Sequence, residues 1–424
     1  MSADSKQPQP PPSDDWGAAT ADATSLLLSG ARLTDGRTVD VRLGGGRIEA
    51  VGTAGSLTAT GSRVDLAGYL LLPAPAEPHA HADTALSADV PGPVSYAADE
   101  VQRRATEAAL LQLGHGATAL RAQVRIGDVH GLGPLEAVLQ ARRSLRGLAD
   151  LTTVAVPRLL TGVAGADGLA MLRDAVKMGA GVVGGCPDLD PDPTGYVEAV
   201  LEVAAEHGCP VDLHTDGDDP ARLARLAAMA GGLRAGVTIG PCAGLGRLPA
   251  DVARRTADRL AAAGVTVVTL PQGACAGAEA RGAAPARLLR AAGVRLAAGS
   301  GALRDVSNPV GRGDPLEAAY LLASQGGLGP QDAYGAVSSA ARAAMGLPEV
   351  RVEAGFPAEL LAVRGDRLEG VLSLAYSRIV IHRGRVVART SAVREYCDSA
   401  AALDLPRQTR PDTGSPPGGG DVRS

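Results

Sequence analysis

The sequence predicts an α/β chain: a (β/α)8 barrel, the TIM-barrel form, carrying a small composite β-sandwich domain built from segments on either side of it. Three observations carry this expectation. Eight short apolar runs alternate with helix-forming stretches through the middle of the chain. β-type runs separated by turn signals stand at both ends of that region. The length of 424 residues suits one large barrel with a satellite domain.

The barrel strands are expected at Leu70 to Leu72, Thr118 to Arg121, Thr152 to Val156, Gly181 to Val183, Val211 to His214, Val237 to Gly240, Val265 to Leu270 and Val294 to Ala298. Stretches rich in Ala, Leu, Arg and Glu lie between most of them, such as Asp99 to Leu113 and Thr194 to His207. Gly208 and Gly264 follow two of these stretches and suit helix C-caps. A doubly wound sheet is the runner-up. It is disfavoured because neither a Gly-rich dinucleotide turn nor a Walker loop follows a strand.

For the small domain, Leu26 to Leu28, Thr38 to Leu43 and Arg47 to Val51 read as strands, divided by Asp35-Gly36 and Gly44-Gly45-Gly46, with another near Ser62 to Leu66. Near the other end, Ile379 to His382 and Arg385 to Ala388 form a hairpin around Arg383-Gly384. Each group alone is too small to bury a face, and pairing the two solves that problem. The expected organisation is a disordered tail over 1–21, the first part of the β domain over 22–70, the barrel over 71–348, the second part of the β domain over 349–395, and a largely disordered tail over 396–424.

Composition excludes several function classes. The formal net charge of −5 gives no broad attraction to nucleic acid or anionic membrane. Aromatics are 2% of the chain, with Trp16 and Phe356 the single Trp and Phe, so base-stacking platforms are not expected. No secretory leader and no apolar run long enough to span a bilayer is read. The five cysteines (Cys186, Cys209, Cys242, Cys275, Cys397) are scattered without a C-x-x-C pair, which fits a reducing cytoplasm.

The chemistry-bearing residues gather at expected strand ends. In YLLLPAPAEPHAHAD, His79 and His81 stand two apart, so extended backbone points both the same way. Imidazoles so placed suit Zn²⁺ or Fe²⁺. A chance pair in a surface loop is the plainer reading, but the preceding apolar strand and the total of seven histidines favour a metal site. His214, in CPVDLHTD at the end of the fifth strand, is the third expected ligand.

PHAHAD, VDLHTD and GVRLAAGSGALRDVSNPVG, in this order, resemble the cytosine-deaminase-like branch of the amidohydrolase superfamily, over about Ser25 to Thr390. The resemblance implies a barrel of the metal-dependent hydrolase type and a metal held by His79, His81, His214 and an eighth-strand aspartate. It also implies a substrate-polarising histidine on the sixth strand and a proton-carrying glutamate three residues after the fifth-strand histidine. This chain departs from it at those last three positions, where Gly301, Pro241 and Gly217 stand. Asp305 and Asp216 are the nearest substitutes, and Asp218 is a further neighbour. On the second strand Arg121, Ala122 and Gln123 replace the family's Arg-Thr-His. Arg158 takes the position of a substrate-binding glutamine.

Three functions follow in order of chemical expectation. The first is a divergent protein, a pseudoenzyme with a ligand-binding or regulatory role. The second is a metal-dependent hydrolase of a C–N (non-peptide) bond in a cyclic amide or amidine. Cytosine-type deamination comes last. General acid–base transfer contributes about 10²–10⁴ in rate, and the positions that would supply it are glycine and proline. The catalytic substitutes are Asp305 and Asp216, the substrate-binding residues Arg158, Gln123 and Gln272, and the metal ligands His79, His81 and His214. The expected cofactor is one divalent metal, Zn or Fe, or none. The expected partners are a small-molecule ligand and, as an open alternative, a second copy of the chain.

His115, His130, His207 and His382 read as caps, loop residues or small-domain residues. Cys186 and Cys242 read as small buried side chains, and DLDPDP (Asp188 to Pro193) as a solvated turn.

Overall fold

The computed structural model describes residues 25–273, 283–374 and 377–392, and all of the architecture lies in the unit that ends at Ser391. Two sheets account for every strand among them.

The mixed sheet begins with β1 (Leu26–Arg32), β2 (Thr38–Gly44), β3 (Arg47–Thr53), β4 (Arg63–Asp65) and β5 (Tyr69–Pro73). The barrel follows as β6 (Ala76–Ala80), β7 (Ala119–Ile126), β8 (Asp150–Pro157), β9 (Val182–Gly185), β10 (Val211–Thr215), β11 (Val237–Pro241), β12 (Thr266–Thr269) and β13 (Arg295–Ala298). The chain returns to the mixed sheet as β14 (Leu360–Arg364), β15 (Arg378–His382) and β16 (Arg385–Thr390).

The barrel strands neighbour one another in chain order and pair in parallel. A parallel bridge between Ala80 and Gly301 brings the last strand back to the first. This is a (β/α)8 barrel with an accessory β domain. Alternation along its strands separates two environments. Leu120, Ala122, Val124 and Ile126 of β7, and Val211 and Leu213 of β10, join the main core with the surrounding helices. Arg121 and Asp212 instead meet at 3.1 Å although β7 and β10 are not neighbours, so their pair crosses the barrel interior. A small separate cluster that includes Ala76, Ala119, Val268 and Ala297 is closed by Ala341 of the helix Ser339–Ala344. Arg121 also donates to the Ala344 carbonyl at 2.8 Å.

One expected strand moves. Leu70 to Leu72 does not open the barrel; it lies in β5, where Leu72 pairs with Leu361 and Leu71 with Ala362 of β14. The barrel starts at Ala76 in the segment AEPHA. That segment has no apolar run, whereas YLLLP has one, so hydropathy alone favours the wrong strand.

The composite β domain has its own core, with Leu28, Val41, Leu43 and Leu71 from before the barrel and Leu360, Ala362 and Ile381 from after it. Polar clasps join it to the barrel. Arg378 of β15 makes two bonds, 2.8 and 2.6 Å, to Asp314, the N-cap of the helix Pro315–Ser324, and a third, 2.6 Å, to the His115 carbonyl. Within the β domain itself, the buried His382 and Glu359 meet at 2.8 Å. Burial pushes the Asp314 carboxyl up, but the Arg378 guanidinium outweighs it and holds the group below its ordinary value.

A depressed folded pKa means the pair's stabilisation is fully present above the unfolded value of about 3.9 and is lost as pH falls through the folded one. Asp314→Asn is therefore expected to lose about 3 kcal/mol at neutral pH. Its urea midpoint should also fall less steeply between neutral and acid pH than that of the parent. Parallel profiles for the two proteins would contradict this. No helix among the described residues is long and apolar enough to cross a membrane.

Candidate metal centre

His79 lies on β6, His81 one residue past its end, and His214 on β10. Strand alternation turns His79 and His81 inward together and sets His214 on the same side as Asp212. His79 Nε2 and His214 Nδ1 stand 3.2 Å apart. Ring centroids are separated by 5.1 Å (His79 to His81), 5.2 Å (His79 to His214) and 5.9 Å (His81 to His214). One ring nitrogen from each lies within 4.8 Å of the others.

Burial lowers all three pKa values. It is the leading cause for His79, which is held well below the ordinary imidazole value, with the neighbouring rings adding to it. His81 is held down to about 3 by burial, then by His214 and Arg125. His214 is held down to about 4 by burial, against the opposing pull of Asp188 and Asp216. All three rings are thus neutral at pH 7, the form that binds metal.

His79 Nδ1 and His81 Nε2 are buried with no hydrogen-bond partner. Three neutral imidazoles with orphaned nitrogens fit a borderline divalent ion such as Zn²⁺ or Fe²⁺. No carboxylate joins the group among the described residues.

Beside the histidines lies a residue that the sequence reading missed. Glu77 is fully buried and accepts from His79 N (3.0 Å), Ser300 N (2.8 Å) and the Ser300 hydroxyl. Burial raises its carboxyl to about 7, against those hydrogen bonds. A Cβ at Gly299 would stand 2.5 Å from Glu77 Oε1, so glycine there makes room for the carboxyl. Glu77 ties the strand bearing His79 to the end of β13. The signal was available, since Glu77 precedes His79 by the same two-residue step that links His79 to His81.

Gly217, Pro241 and Gly301 occupy the positions at which the resemblance led to the expectation of other side chains. Gly217 is buried with φ +73°, and a Cβ there would lie 3.4 Å from both Cys242 and Leu223. Gly301 has φ +72° and is engaged in the bridge to Ala80. Pro241 is in register with Thr215. Introducing Gly217→Glu is expected to cost about 1–2 kcal/mol, because a side chain there meets left-handed backbone. A lower melting temperature would show it, and an unchanged or raised one would refute it.

Asp305 is 3% exposed, and its carboxylate accepts from the Thr84 hydroxyl (2.9 Å), Ser307 N (2.8 Å) and Asn308 N (3.0 Å). Asp216 binds Arg247 and the amide of Gly244. Asp218 is exposed. Gln272 donates to the Asp314 carbonyl at 2.6 Å. Asp188 and Asp190 are not merely a solvated turn. Asp188 accepts from the Thr215 hydroxyl, Asp216 N and Arg222, at 2.8–3.0 Å, and so clasps the loop after β10. Asp190, 5% exposed, accepts from Leu160 N at 2.9 Å. Cys275 and Cys397 lie outside the described residues.

A cavity of about 400 Å³ opens over His81 and His214. Gln123, Arg125, Arg158 and Cys186 contribute to its wall. Gln123 is 4% exposed, and its Nε2 has no partner within bonding distance, although its amide still helps lower the Asp212 carboxyl. Burial raises the Cys186 thiol to about 11, which leaves it protonated and unreactive at neutral pH. Arg125 also escaped the sequence reading, although it continues the inward alternation of Arg121 and Gln123.

The amidohydrolase family profile matches residues 84–388 of this chain. The chain belongs to the amidohydrolase family. It is 26% identical over 390 residues to the pterin deaminase of Rhizobium rhizogenes, covering 83% of this chain and 88% of that protein. Among solved structures it is similar to N-isopropylammelide isopropylaminohydrolase from Burkholderia multivorans, with a TM-score of 0.76, 26% identity, and coverage of 87% of this chain and 100% of that one. The 5-methylcytosine deaminase of Klebsiella pneumoniae shares the fold at a TM-score of 0.78 and 22% identity, covering 88% of this chain and 100% of that one.

Proposed function

We propose that this amidohydrolase is a metal-dependent hydrolase of a C–N bond in a cyclic amide or amidine, on the cytosine-deaminase-like side of the family. The observation that carries the proposal is the convergence of three neutral histidines beneath a cavity at the C-terminal mouth of the barrel. The relatives support it over a non-catalytic role, since their names are those of deaminases and an aminohydrolase.

His79, His81 and His214 would hold the metal. A divalent ion so bound supplies Lewis-acid polarisation and lowers the pKa of water. Gln123 and Arg158, in the cavity wall, orient the substrate. With glycine at 217, proton exchange falls to solvent entering the cavity. Turnover should therefore lack the roughly 10²–10⁴ that a positioned acid–base group contributes. Asp216 and Asp305 serve their loops and Arg247 in the geometry described above, which limits them as substitutes. The unpaired Cys186, Cys209 and Cys242 support a reducing, cytoplasmic setting.

The test is to purify the protein without chelator, measure bound metal, and assay ammonia or amine release from aminopyrimidines, pterins and aminotriazines. Stoichiometric Zn or Fe with release that chelation removes is expected. Fully metal-loaded protein inert across the panel would overturn the hydrolase reading in favour of a ligand-binding role.

A further inference from the structure

The ionised groups around the cavity are unevenly matched. Arg125 and Arg158 both line it, and Asp128 is the single carboxylate in its wall. Asp128 stands 3.7 Å from Arg158, with the two side chains 56% and 67% exposed, a loose pair that a ligand can displace at little cost. Arg125 makes no ion pair among the described residues, and its guanidinium bonds the neutral Tyr96 hydroxyl at 3.2 Å. Asp83 and Asp305 favour its charged form, but among the described residues their carboxylates bond backbone amides and the Thr84 hydroxyl rather than its guanidinium. The histidines on the cavity floor and Cys186 on its wall are uncharged. Two guanidiniums, one without an ion pair and one only loosely paired, therefore line the cavity beside the metal ligands, and both remain exposed to solvent.

Building on the hydrolase reading, we propose that the substrate is an anionic heterocycle, bearing a carboxylate that Arg125 and Arg158 receive. A guanidinium matches a carboxylate in plane and in hydrogen-bond spacing, and charge-assisted bonds are roughly twice as strong as neutral ones. A cavity of about 400 Å³ admits one or two fused rings with a small substituent. The anion also orients the ring, since Arg125 is close enough to His81 and His214 for its charge to be felt by both.

Calorimetric binding to metal-free protein tests this with two matched pairs: pterin against pterin-6-carboxylate, and cytosine against 5-carboxycytosine. Metal-free protein is used because a carboxylate can also ligate the ion. In at least one pair the carboxylated member should bind about tenfold or more tightly than its neutral partner. The gap should narrow as ionic strength rises and vanish in Arg125→Gln/Arg158→Gln. Equal or weaker binding of both carboxylated members, no binding by any of the four, or a preference that survives the double substitution would each overturn the proposal. Because binding is read without turnover, the two readings fail separately. A carboxylate preference without hydrolysis removes only the enzyme. Hydrolysis of neutral members without such a preference removes only the anionic substrate.

Discussion

Replacing His214 with alanine is expected to weaken Zn²⁺ binding by at least about 100-fold, because even changes outside the ligand set commonly cost 10–100-fold. The fold should survive. His214 is only partly buried, and its hydrogen-bond partner is the His79 ring rather than a structural group. Competition with a chromogenic chelator gives the affinity, and the unfolding midpoint of the metal-free protein gives the stability. Retention of parental affinity would place the metal elsewhere. Equal loss of stability and affinity would make His214 a structural residue. His81→Ala should behave in the same way, because His81 Nε2 has no other partner to lose.

The second large effect lies deeper in the barrel. Arg121 and Asp212 are 1% and 0% exposed and meet at 3.1 Å. Burial pushes the Asp212 carboxyl above its ordinary value even with the guanidinium beside it. Arg121→Ala leaves that carboxyl enclosed without its cation and should cost about 3–5 kcal/mol. Replacing both members with apolar residues of similar size, as in Arg121→Met/Asp212→Leu, should recover most of the loss. Urea denaturation of the two variants decides the point. A single substitution costing under about 1 kcal/mol would mean that water or a neighbour already satisfies Asp212.

Much of this architecture is legible in the chain alone. Strands β7 to β13 announce themselves as apolar runs because helices cover their outer faces. The histidine pair is legible for the same geometric reason, since a step of two keeps both side chains on one face. Other features hide because their signals are not local. β6 is built from AEPHA, whose burial comes from the barrel closing around it rather than from its own hydropathy. Asp188 looks like a turn residue until Thr215 and Arg222 arrive from a different βα unit. Arg125 resembles any exposed strand-end cation until Gln123, His81 and His214 frame the same cavity.

Gly217 and Gly301 show a different limit. The sequence reveals what these positions lack, and the structure adds that both adopt left-handed backbone, so restoring a side chain demands more than a codon change.

The composite β domain also dictates an order of events on the ribosome. Leu72 finds its partner only when Leu361 has been made, so β5 leaves the tunnel long before β14 exists to cover its edge. Through synthesis of the entire barrel, YLLLP is an apolar strand with one side unpaired, the kind of edge that recruits other chains. Translation speed and holdase supply should thus govern the soluble yield of this protein more than its final stability does. Moving the segment that carries β14 to β16 ahead of β1 by circular permutation would let both halves of the sheet emerge together.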